Sequence, residues 1–129
     1  MKLAANERKC KTMIRSLARL LLSIIFISGG ADAFLKPGGR VDKVAGVGLP
    51  QPKQSVELNG LVMMIGGALL ALGFFPRLAA AILMASIVPT TIVGHAFWKE
   101  GSEAGKKAQQ VQFFKNLGLL GGLLLVLSE

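Results

Sequence analysis

Few side chains in this sequence could do chemistry, and most of them fall within residues 92–122. An apolar run there ends on Gly94-His95-Ala96-Phe97-Trp98, a polar stretch covers residues 99–110, and the next apolar run opens with Gln112, Lys115 and Asn116. Glu57 and Asn59 open another apolar run. An imidazole changes charge near neutral pH. An ammonium and carboxamides supply hydrogen bonds, and an indole offers a flat apolar face with one donor. Such a set could exchange protons. It could also bind the polar ring of a quinone, with Phe97 and Trp98 against the ring. No nucleophile–base spacing of hydrolase type is present. The plainer reading is a polar rim, because polar residues belong at the ends of apolar helices.

Composition removes several alternatives. Cys10 is the only cysteine, so the chain alone can form no disulfide, CxxC redox pair or thiolate cluster. With His95 the only histidine, no metal site and no covalently held cofactor are expected. The net charge is +8, from 15 basic and 7 acidic residues. The basic residues flank apolar blocks and no nucleic-acid-binding motif accompanies them. They therefore point to lipid headgroups, not to nucleic acid.

The elements that must position these groups are membrane spans. The chain has 129 residues, of which 52% are hydrophobic and 17% charged. Its mean hydropathy is +0.56. The apolar residues fall into four blocks, at about residues 14–34, 58–75, 78–97 and 111–127. Each approaches the roughly 20 helical residues that cross a hydrocarbon core. The expected fold is all-α: one domain over residues 1–129, forming an integral membrane four-helix bundle with antiparallel, up-down topology. Residues 36–55 are rich in Pro and Gly and cannot span. Val41, Val44, Ala45 and Gly48 keep helical spacing between charges, which predicts a short interfacial helix ended by Gly48-Leu49-Pro50.

Details along the chain sharpen this. Lys11, Arg15 and Arg19 form an i, i+4, i+8 stripe, expected to anchor the first span to headgroups or to recruit a soluble partner. Ala31-Asp32-Ala33 has the shape of a signal-peptide cleavage site, but the apolar character runs on through Phe34 and Leu35 and argues against one. Asp32 and Lys36 could pair at the rim, or Asp32 could line a pocket. Glu57 could serve the helix dipole or face the bundle interior. Gly67-xxx-Ala71 and Gly118-xxx-Gly122 have the form of close-packing seams. Pro89 should kink the third span, with Thr90 and Thr91 at hand to re-satisfy loosened backbone groups. The basic start predicts both termini in the cytoplasm. The polar candidates then meet at the outer face: Glu57, Asn59, His95, Trp98, Gln112, Lys115 and Asn116, together with Asp32 and Lys36.

At these residues the chain resembles the DoxX family of small four-helix membrane proteins. The resemblance rests on Arg15-x-x-x-Arg19, the small-residue exit near Lys36, the Gly48-Leu49-Pro50 loop, Glu57, and the L-G-F-F-P-R turn. Its most specific parts are H-x-F-W from His95 and Q-x-F-F-K-N-L-x-L-L-G-G from Gln112. It covers about 110 residues. It implies a bacterial-type inner-membrane protein. Some relatives are linked to quinone-coupled oxidation of sulfur compounds, others to complexes handling oxidative stress, and many have no assigned activity. Carried over by position, a pocket role falls on Glu57, His95, Trp98, Lys115 and Asn116. The first functional expectation is thus an accessory or quinone-interacting subunit of a membrane redox system, with other subunits as partners and homo-oligomerisation left open. A second is a non-catalytic scaffold that recruits soluble proteins through its basic N-terminus. A third, a small proton-coupled transporter, is disfavoured because no span carries an acid near its centre.

Overall fold

A computed structural model describes residues 1–129, and it contains helices and no strands. Helix α1 spans Lys2–Leu35, α2 Gly39–Gly46, α3 Pro52–Leu72, α4 Pro76–Pro89 and α5 Glu103–Leu127. Between α4 and α5 lie a π-helical segment, Thr90–Gly94, and a 3₁₀ turn, Phe97–Lys99. Four stretches are long and apolar enough to cross a membrane: Lys2–Leu35, Pro52–Leu72, Pro76–Lys99 and Glu103–Leu127. The chain is an all-α membrane bundle of four spanning helices.

Helices α1, α3 and α5 begin before their apolar blocks, because a helix continues for as long as caps and propensity allow, whereas α3 ends at Leu72 and α4 at Pro89, short of the block ends at 75 and 97. Helix α1 has 34 residues, about 51 Å at 1.5 Å per residue, against a hydrocarbon core of about 30 Å. Residues 1–18 are exposed throughout, so the first turns stand clear of the bundle. Helix α5 starts well before the apolar block at 111, because Ser102 caps it: its Oγ accepts from the Gly105 N–H at 3.0 Å. Helices α3 and α4 both open on proline, whose fixed φ and missing N–H suit a first turn. Helix α2 is the short helix expected within residues 36–55, and none of its residues is buried. It stops just before Gly48, which is left-handed at φ 82°.

The α3–α4 connection is a Schellman turn. The Phe74 N–H reaches the Leu69 carbonyl at 3.0 Å and the Gly73 N–H the Leu70 carbonyl at 3.2 Å, with Gly73 left-handed at φ 73°. Phe75 is also left-handed, at φ 47°. Pro76 disfavours the right-handed helical region for the residue before it.

In the bundle α1 lies against α3, α3 against α4, and α4 against α5, while α1 and α5 barely touch. The apolar core joins Phe26, Leu70, Ala79, Ala80, Leu83, Ile87, Leu123 and Val126. Only 18 of 129 residues are buried, so most apolar side chains are left for lipid to solvate. Near the His95 end, backbone contact replaces side-chain packing. A Cβ on Gly30 would stand 2.5 Å from the Gly60 carbonyl, and one on Gly60 would stand 2.6 Å from the Gly30 carbonyl. Gly67 joins the same α1–α3 seam, since its Cβ would meet Ile27 at 2.8 Å. The expected seam on α5 is different. Gly118 has nothing within 4 Å, and a Cβ on Gly122 would meet only the Leu22 side chain, at 3.5 Å.

Candidate functional site

The polar candidates divide into separate groups instead of lining one pocket. Asn59 and Asn116 turn into the bundle. The Asn59 Nδ2 donates to Thr90 Oγ1 at 3.1 Å, and its Oδ1 accepts from Ser86 Oγ at 2.7 Å. Asn116 is buried and donates to Thr91 Oγ1 at 3.0 Å. Thr90 and Thr91 in turn donate to the Ser86 and Ile87 carbonyls, at 2.8 and 2.7 Å. Pro89 explains the pattern. It lacks an N–H, the helix after it loosens into the π segment, and the two threonines bond the preceding turn. Adjacent residues on that segment then fasten it to α3 on one side and α5 on the other.

Glu57 forms no ion pair or hydrogen bond with His95 or Lys115. It pairs with Lys53 at 3.8 Å, one turn earlier on α3. Lys115 is exposed and bonds Gln112 on its own helix. The sequence-based expectation that these carboxylate and ammonium groups join His95 is not met, since each is satisfied within its own helix. Asp32 is exposed at the end of α1 and forms no ion pair with Lys36; the Lys36 N–H bonds the Asp32 carbonyl at 2.8 Å and closes the helix.

His95 and Trp98 make a different constellation. The His95 Nδ1 lies 2.9 Å from the Gln109 Oε1 of α5. In the neutral imidazole tautomer that donates from Nδ1 to this oxygen, Nε2 is an acceptor. Phe97 packs edge-on to both Trp98 and Phe113, with ring centroids 5.2 and 5.4 Å apart. Phe114 extends the cluster, its ring 5.8 Å from Phe113. Trp98 is 51% and Phe114 56% exposed, so the cluster offers open aromatic faces. Gln109 is not among the sequence candidates. Its only signal is its place on α5, two turns before Asn116.

The same segment also borders a cleft of about 300 Å³ between α2 and residues 93–100. The Lys43 Nζ donates to the Gly94 carbonyl there, at 2.6 Å, tying α2 to the π segment. A larger concavity of about 440 Å³ lies along Lys2, Leu3, Ala5, Asn6 and Lys9. It is the flank of one exposed helix with no opposing element, and we assign it no role.

At the opposite end, the basic stripe separates by partner. Arg19 is 17% exposed and bonds Glu129 at 3.2 Å, while Arg15 is 59% exposed and reaches Glu129 only at 4.0 Å. Lys11 is exposed on the free part of α1. Arg19–Glu129 is the main polar tie between α1 and the end of α5.

Four apolar spanning helices, with an aromatic and imidazole cluster at one end, define a multi-pass α-helical membrane protein. The chain belongs to the DoxX family, whose family model matches residues 14–96. It is similar to the inner membrane protein YphA of Escherichia coli, with 27% identity over 85% of this chain and 78% of that protein. It also resembles an uncharacterized membrane protein of Mycobacterium tuberculosis, with 30% identity over 58% of this chain and 47% of that one. No solved structure matches the chain.

Proposed function

We propose that this protein is an accessory subunit of an inner-membrane redox system and binds a quinol head group beside His95. The carrying observation is the pairing of His95 with Gln109 next to exposed aromatic faces of Trp98 and Phe114. The free Nε2 of His95 accepts a hydrogen bond from a quinol hydroxyl, and the aromatic faces cover the ring. Because Nε2 accepts, the reduced form binds more tightly than the quinone. Glu57 lies outside this site, held by Lys53.

The test is quinol binding to purified protein in detergent. His95→Ala and Trp98→Ala should each weaken binding about tenfold, a loss of about 1.4 kcal/mol. Glu57→Gln should leave it within about twofold. Absence of saturable binding to folded wild-type protein would remove the reading.

The α1 overhang favours a second reading, a scaffold for soluble partners. Residues 1–18 are exposed and carry five basic side chains: Lys2, Arg8, Lys9, Lys11 and Arg15. Removing residues 2–12 should abolish capture of such a partner without unfolding the bundle.

A further inference from the structure

We propose that the cleft between α2 and residues 93–100 binds the headgroup of a zwitterionic phospholipid with a primary ammonium, of the phosphoethanolamine type. The cleft measures about 300 Å³, room for a headgroup and not only for one ion, since a water occupies about 30 Å³ of liquid. Its charged lining is Lys43, Lys99 and Glu100, and its apolar lining includes Val47, Val93 and Ala96.

Both charge signs are present, yet they do not neutralise each other. The ion pairs of the molecule are Arg15–Glu129, Arg19–Glu129 and Lys53–Glu57, and none involves the cleft. Lys43 is fixed by its bond to the Gly94 carbonyl and keeps two more N–H donors. Glu100 is exposed and makes no ion pair or side-chain hydrogen bond, and its Oε2 lies by the first turn of α5, 3.0 Å from where a Cβ on Gly105 would stand. A phosphate meets Lys43 and Lys99, and the ammonium meets the Glu100 carboxylate. The cleft lies where lipid headgroups are found: Trp98 is adjacent in the chain, and Val47 and Leu49, just after α2, are exposed. The apolar wall gives the lipid's glycerol end a path toward the chains. A headgroup without the ammonium meets the same lysines but leaves Glu100 unanswered.

The inference does not depend on the quinol reading. Its test is lipid retention by delipidated, purified protein, measured by native mass spectrometry with phosphatidylethanolamine and phosphatidylglycerol at equal concentration. Wild type should retain the ethanolamine lipid at least about threefold better, the discrimination of a single exposed charge contact. Glu100→Gln should erase that preference, and Lys99→Ala should lower retention of both lipids. Both side chains are exposed, and unchanged thermal unfolding will show that the variants fold. Equal or better retention of the glycerol lipid by wild type would overturn the proposal. So would an unchanged preference in Glu100→Gln. Soluble phosphoethanolamine should leave the lipid in place, and displacement at equal concentration would overturn the assignment to a lipid.

Discussion

Asn116 shows what one side chain does inside this bundle. A carboxamide in an apolar span is costly unless it is bonded, and here Thr91 supplies the partner. Interhelical bonds of this kind contribute about 0.6 kcal/mol on average and up to about 1.7. Asn116→Leu should therefore lower stability by about 1 kcal/mol. A double-mutant cycle with Thr91→Val, followed by unfolding in detergent, should give a coupling of similar size. A coupling near zero would mean that the two residues act independently. Asn116 is legible as a polar residue in an apolar run. Its partner is not, because nothing in the spacing of residues 91 and 116 says that they meet. Glu57 shows the reverse: Lys53 stands four residues before it, a helical pairing visible in the chain, and it takes the carboxylate that would otherwise be free to face inward.

Helices meet here through glycine, but not through every glycine. Gly30 and Gly60 let the α1 and α3 backbones touch, and any side chain there must push the helices apart. Gly60→Ala should destabilise the fold by about 2 kcal/mol or more, as overpacking does. Gly118→Ala should be neutral or stabilise by up to about 1 kcal/mol, because alanine is the better helix former and nothing lies in its way. Thermal unfolding of the two variants side by side checks both. A larger loss at Gly118 than at Gly60 would show that Gly118 packs against another molecule. Sequence spacing could not rank these sites, since a small-xxx-small pattern records that a close approach is allowed, not which helix makes it. Hydropathy likewise located the four spans but not the helix ends. Ser102 and the charged first turns of α5 extend that helix into water, where no apolar signal exists.

For the molecule as a whole, the density of basic residues predicts which end faces the cytoplasm. Four crossings put residues 1–18 and Glu129 at one end, and the Arg19–Glu129 pair fixes that geometry directly. Six basic residues lie within the first 19 positions, all before or at the start of the first span. Basic residues close to the first span resist translocation more strongly than those in later loops, so this end should be cytoplasmic. Single-cysteine labelling tests it, because Cys10 is the only thiol and is exposed. In intact cells an impermeant maleimide should leave Cys10 unmodified until the membrane is opened. Gly101→Cys in a Cys10→Ser background should react at once, since Gly101 is exposed at the His95 end. The opposite pattern would turn the bundle over and place His95, Trp98 and the α2 cleft in the cytoplasmic leaflet. Quinol and headgroup would then have to reach the protein from that side, and the scaffold reading would lose its basic arm to the outside, where no cytoplasmic protein could meet it.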